Sequence, residues 1–111
     1  ENISAREVEA VANAYPDVEE SAAVPVPDPL RKEEVKIYLK LRDGVSADSF
    51  DMAAFLVHCA THLAAFKVPR FVAFIDTFPR TASHKIAKPV LVHAAENLRD
   101  GAYDRTEKRW L

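Results

Sequence analysis

Val35-Lys36-Ile37-Tyr38-Leu39-Lys40-Leu41 alternates strictly, with Val35, Ile37, Leu39 and Leu41 on one face and Lys36, Tyr38 and Lys40 on the other. A period of two over seven positions is the pattern of a strand with one dry face and one wet face. Upstream, Ser4-Ala5-Arg6-Glu7 has the form of a capping box. The Ser4 hydroxyl accepts from the Glu7 amide, the Glu7 carboxylate reaches back to Ser4, and Ile3 staples onto Val8. Val8, Val11, Ala12 and Tyr15 then form one apolar helical stripe that Pro16 ends. Residues 20–26 read as a second strand, with Pro25 at an edge or strand end because it has no N–H to donate to a ladder. Pro27-Asp28-Pro29 reads as a turn.

Downstream of the alternating strand, Asp43-Gly44 turns the chain, and Asp48 or Ser46 caps a helix carrying Met52, Phe55, Leu56, Cys59 and Leu63 at helical spacing. Lys67-Val68-Pro69-Arg70 ends that helix. Phe71-Val72-Ala73-Phe74-Ile75 is apolar on both faces and predicts a central strand. Asp76 to Lys85 has no period and predicts an ordered loop. Pro89 opens a last helix running to Leu98, and the charged stretch from Ala102 to Leu111 reads as a loose tail. The order helix, strand, strand, helix, strand, helix predicts an α+β domain, a small three-stranded sheet covered by helices.

The 111 residues, 12.4 kDa, fit one domain. Fifteen Lys and Arg against seventeen Asp and Glu give a net charge of -2, so no global positive field draws nucleic acid or anionic lipid. Gly44 and Gly101 are the only glycines, too few to write a Walker loop or a G-x-G-x-x-G turn. The single Cys59 closes no internal disulfide and suits a reducing compartment. No apolar run approaches the ~18 residues of a membrane span, and no signal peptide opens the chain, so the sequence places it in the cytoplasm. A helix signal at Ser4 without an initiator Met predicts a fragment of a longer protein.

Three groups of side chains invite a chemical reading. His58 and His62 share a helix face at i, i+4, the spacing of a two-imidazole metal site. No Glu follows His58, and Cys59 points about 100° away, so structural histidines are the expectation and no metal site is assigned. Cys59 itself is spaced with Phe55 and Leu63 as an inert core thiol. Lys36, Lys40 and Arg42 make a basic row expected on a solvated sheet face. The segment from Pro79 to Lys88 differs: it packs Arg80, His84, Lys85 and Lys88 with the Thr81 and Ser83 hydroxyls into a loop just before a helix, where rigid scaffolds carry function, although composition alone favours a solvated basic loop over a site.

Four stretches carry a family resemblance in order and spacing: Glu1-Asn2-Ile3-Ser4 with Glu7-Val8-Glu9, then Val26-Pro27-Asp28-Pro29, then Phe66-Lys67-Val68-Pro69-Arg70, then Phe78-Pro79-Arg80-Thr81-Ala82-Ser83-His84-Lys85-Ile86. Together they resemble the C-terminal domain of the adenylate-forming acyl-CoA synthetases, across essentially the whole chain, 1–111. Ala102-Tyr103-Asp104-Arg105 looks like the crotonobetaine/carnitine-CoA ligase branch.

The resemblance implies a moving lid on a large N-terminal domain, which is not part of this chain and which holds Mg-ATP and a carboxylic acid. Lys85 falls on the family's catalytic lysine, which serves the attack of the carboxylate on the α-phosphate to give acyl adenylate and pyrophosphate. An ammonium on a flexible stem is a compact charge suited to those oxygens. The lid then rotates so that the CoA thiol attacks the adenylate and releases AMP. By resemblance Lys67 and Arg70 meet CoA phosphates and Phe66 lies against its adenine, on a second face that includes the start of the chain. As a fragment, the chain alone is expected to be inactive and to hold neither nucleotide nor metal.

One departure stands out: His84 occupies a position that is usually small, often Gly. Two other functions remain open at this point, a lid that loads a carrier-protein thiol and a non-enzymatic α+β binding module. The acyl substrate is not legible, because the pocket that selects it lies outside the chain.

Overall fold

The computed structural model describes residues 4–111. The Ile3 staple and the motif residues Glu1 to Ile3 lie outside them. Helix α1 (Ala5–Asn13) starts at Ser4, whose hydroxyl accepts from the Glu7 amide at 3.4 Å. The Glu7 carboxylate instead pairs with Lys67. Strands β1 (Val18–Asp28) and β2 (Lys32–Leu41) form a long antiparallel hairpin. Helix α2 (Met52–His62) is capped by Asp51, whose side chain accepts from the Ala54 amide, not by Asp48 or Ser46. Ser46 instead forms a turn just before the helix, where it and Ser49 bond each other. A single 3-10 turn (Ala65–Lys67) leads to β3 (Phe71–Phe74), followed by α3 (Lys88–His93), β4 (Tyr103–Asp104) and β5 (Arg109–Trp110).

The sheet has five strands in the order β1-β2-β3-β4-β5, with β2 and β3 parallel and the other pairs antiparallel. This corrects the expectation of three strands. The segment from Ala102 to Leu111 is no loose tail; it forms β4 and β5 and extends the sheet beyond β3. Two-residue strands carry no readable period, and what fixes them is a tertiary ion pair, described below. β3 is the middle strand, as its uniform hydrophobicity suggested. The last helix is also shorter than expected, ending at His93 instead of Leu98.

β1 runs through Pro27-Asp28, where a turn was expected. It is an edge strand, and Pro25 and Pro27 share the parity of Ala23, whose N–H points away from β2. A missing N–H on that side disturbs no ladder bond. The Ala23 amide donates to the Glu9 carboxylate at 2.9 Å, and Ser21 Oγ donates to Asn13 Oδ1 at 2.7 Å, so α1 flanks this edge.

The helices cover both faces of the sheet, which removes the wet face expected of β2. One core joins Val8 and Ala12 of α1, Phe55 and Cys59 of α2, and Val35, Ile37, Leu39 and Val72 of the sheet. On the opposite face, Tyr38 packs with Ala22, Val24, Phe78 and Leu91. Lys36 is 3% exposed, with its ammonium over the Tyr38 ring at 4.4 Å, and burial pushes its pKa down. Of the expected solvated row, Lys40 pairs with Glu19 at 3.0 Å and Arg42 Nε donates to the Pro16 carbonyl. His58 Nε2 donates to the Val11 carbonyl at 2.7 Å and so ties α2 to α1, while His62 Nδ1 bonds the His58 carbonyl.

Candidate active site

β3 joins the two segments that carry the expected site residues. The segment Phe66 to Arg70 enters at its N-terminal end, and the loop carrying Lys85 follows its C-terminal end. Four strand residues separate the ends by about 13 Å. The loop lies with α3 on the sheet face that holds Phe78 and Leu91; α1 and α2 cover the other face.

The loop is a closed hairpin. Arg80 and Ile86 form an isolated antiparallel bridge, the Thr81 amide donates to the Lys85 carbonyl at 2.8 Å, and the Lys85 amide donates to Thr81 Oγ1 at 3.2 Å. The His84 amide closes the tip on the Thr81 carbonyl at 2.9 Å. His84 takes φ 66°, the left-handed region, which explains why a glycine suits this position and how the chain turns without one. Histidine is among the residues that tolerate this conformation best.

Both flanks of the hairpin are held by ion pairs. Arg80 pairs with Glu20 of β1 and donates to the His84 carbonyl at 3.2 Å. Lys88 Nζ meets Glu9 Oε2 at 2.6 Å, the same carboxylate that takes the Ala23 amide. Lys85 is exposed, and among the described residues its ammonium has no ion-pair partner. The structure therefore fixes the backbone of Lys85 and leaves its charge free.

At the other end of β3, Phe66 is 37% exposed and Lys67 lies beside it, 5.5 Å from the ring centroid, paired with Glu7. Glu7 and Glu9 differ by about 200° around α1. Their cationic partners, Lys67 and Lys88, accordingly sit on opposite flanks of that helix.

Arg70 is placed differently from Lys67. Its guanidinium makes a two-armed contact with Asp104, Nε to Oδ1 and Nη2 to Oδ2, and reaches Asp28 Oδ1 at 3.7 Å. Arg99 joins from the α3–β4 connection, donating to Asp28 Oδ1 at 2.9 Å, and the two guanidinium groups sit 5.0 and 5.1 Å from the Phe71 ring centroid. Asp104 is 1% exposed. Burial alone would raise its pKa, but bonds from Arg70 and the Glu107 and Thr106 amides outweigh burial and hold the carboxyl below its ordinary value. Asp28 is also lowered, by the Arg31 amide first and then by Arg99. The Asp104 contact raises the Arg70 pKa. Arg105 completes the arrangement, with its amide on the Arg70 carbonyl at 2.7 Å and its Nε on the Pro69 carbonyl at 2.9 Å.

Asp28, Arg70 and Asp104 each come from a different quoted sequence motif, and the fold brings all three together. Sequence reading assigned Arg70 outward and gave Asp28 and Asp104 no role.

The site is therefore an α+β sheet carrying an exposed, unpaired lysine on a hydrogen-bonded hairpin. The profile described as AMP-binding enzyme C-terminal domain matches residues 7–85, and the chain belongs to that family. An oxalate–CoA ligase of Arabidopsis thaliana is 41% identical over 91 residues, which are 82% of this chain and 17% of the relative. A crotonobetaine/carnitine–CoA ligase of Proteus mirabilis is 35% identical over 79% of this chain and 16% of its own length. The solved o-succinylbenzoate CoA synthetase of Bacillus subtilis, in complex with its acyl-adenylate intermediate, superimposes with a TM-score of 0.71 at 32% identity, covering 82% of this chain and 18% of that one. The chain thus spans about a sixth of the length of the curated relatives it matches. Among the described residues, no helix is long and apolar enough to cross a membrane.

Proposed function

We propose that residues 1–111 form the mobile C-terminal lid of an ATP-dependent, AMP-forming carboxylate–CoA ligase. The observation that carries this reading is Lys85: its backbone is pinned at both N–H and C=O while its ammonium is left unpaired, in a family of AMP-binding enzyme C-terminal domains. A preorganised cation of this kind stabilises charge that develops on the reacting phosphate and carboxylate oxygens in the adenylation step. The large N-terminal domain of the same protein supplies the pockets for Mg-ATP and the carboxylic acid.

For the second step, Phe66 and Lys67 form the surface that meets CoA, with the ring against the adenine and the ammonium against phosphate. Arg70 belongs to the same segment. Its contact with Asp104 weighs toward holding that surface in place over touching phosphate directly. The placement of Lys85 and Lys67 beyond opposite ends of β3 suits a lid that presents one face and then the other. CoA is preferred over a carrier-protein thiol because the curated relatives compared above are named as CoA ligases. The buried free thiol of Cys59 supports a cytoplasmic setting.

The test uses the full-length reading frame. Pyrophosphate release with ATP and a panel of carboxylic acids, followed by AMP and thioester on addition of CoA, is the expected outcome. Adenylation that proceeds while CoA fails to accept the acyl group, or no adenylation with any acid, would overturn it.

A further inference from the structure

The Arg80 side chain touches both the sheet and the tip of the lysine hairpin. It pairs with Glu20 of β1 and donates from Nη1 to the carbonyl of His84, the residue in the left-handed region directly before Lys85. The carbonyl held by Arg80 belongs to the peptide unit that links His84 to Lys85, so its orientation sets the direction in which the Lys85 side chain leaves the loop. A left-handed non-glycine residue is conformationally costly and persists where its surroundings over-determine it. Here those surroundings are the His84 amide bond to Thr81 on one side and Arg80 on the other.

We propose that Arg80 and Glu20 are positioning residues for Lys85: Glu20 anchors the guanidinium to the rigid β1–β2 hairpin, and the guanidinium aims the His84–Lys85 peptide. This deepens the reading of Lys85 as the adenylation cation and rests on it. Arginine suits the role best, because a planar fork serves a carboxylate and a carbonyl at once while a single ammonium holds one of the two directions less well. The pair is too exposed to matter much for stability, at 38% and 29% of the two side chains. Its effect is geometric, and small displacements of a reacting group cost rate steeply.

The experiment measures pyrophosphate release by the full-length ligase carrying Glu20→Ala, Glu20→Gln, Arg80→Ala and Arg80→Lys, alone and combined with Lys85→Ala. Expected are an adenylation kcat about tenfold lower for Glu20→Ala and ten- to a hundredfold lower for Arg80→Ala, with KM for ATP nearly unchanged. Glu20→Gln and Arg80→Lys should recover part of each loss, and thioester formation from supplied acyl adenylate should be unaffected. In the Lys85→Ala background, Glu20→Ala should cause no further loss, because it acts only through Lys85. An unchanged rate for Glu20→Ala, or the same fold-loss with and without Lys85, overturns the positioning role while leaving the Lys85 reading intact. No loss in Lys85→Ala alone removes that reading and this one with it. Should Arg80→Ala fail to fold, Arg80→Lys and the two Glu20 variants decide the question.

Discussion

Arg70 and Asp104 face each other through two parallel hydrogen bonds, Nε to Oδ1 and Nη2 to Oδ2, each 3.2 Å long, across 34 residues of sequence. This contact fastens the last two strands to the middle of the sheet and holds the Phe66 to Arg70 segment at the start of β3.

Removing Asp104 takes its two-armed partner from the largely buried Arg70 and leaves only Asp28 at 3.7 Å, so Asp104→Ala should cost about 3 kcal/mol, read from urea unfolding. Because Asp104 is lowered in the folded state, its contribution is present above the unfolded carboxylate value of about 3.9 and disappears as pH falls through the lower folded value. The urea midpoint of the native chain should therefore fall steeply below about pH 4. Asp104→Asn, already weaker at neutral pH, should fall less over the same window, and parallel curves for the two proteins would contradict the assignment.

Lys85→Ala should slow acyl-adenylate formation by about 10²–10³, the loss typical of one preorganised electrostatic donor. Stability should not change, and thioester formation from supplied acyl adenylate and CoA should survive. Lys88→Ala carries the same charge change three residues away, on a side chain already paired with Glu9, and should lose at least tenfold less. Single-turnover kinetics of the two half-reactions separate these outcomes, and equal losses for both lysines would mean a diffuse basic surface.

Lys67→Ala should raise the apparent KM for CoA several-fold and leave pyrophosphate release untouched, since the lost contact belongs to the thiol step. Arg70→Ala is a poor probe of the same idea, because it dismantles the Asp104 contact.

Cys59 is fully buried among Phe55, Leu63 and the sheet, and burial pushes its thiol up to about 12. A disulfide reagent at pH 8 should leave it unmodified in the native chain and label it fully in denaturant. Rapid labelling of folded protein would mean that α2 opens.

The isolated 111-residue chain should bind ATP no more tightly than millimolar. With two glycines, both at turns, it has no loop of backbone amides to cradle a triphosphate. Calorimetry giving a micromolar Kd would contradict the lid reading.

The helices α1 and α2 and the strand β2 were legible because their apolar residues recur at a definite period, and β3 because it is apolar throughout. The second buried face of β2 was not, since Lys36 and Tyr38 look wet in sequence and are covered only because Phe78 and Leu91 fold back over them. β4 and β5 had no period to read, and their place depends on the pairing of Arg70 with Asp104. Lys85 was reached through the motif around it, whereas the clamp on its hairpin was invisible, because Glu20 lies sixty residues away from Arg80.

The Glu9 carboxylate that takes the Ala23 amide has a consequence for the free domain. Along the outer margin of β1, Pro25 and Pro27 have no N–H to offer and the Ala23 N–H is already spent, while the opposite margin, β5, is only two residues long. Neither side supplies a run of vacant donors onto which a foreign strand could zip. A second copy of the chain thus finds no ready template on this sheet for adding a strand edge to edge.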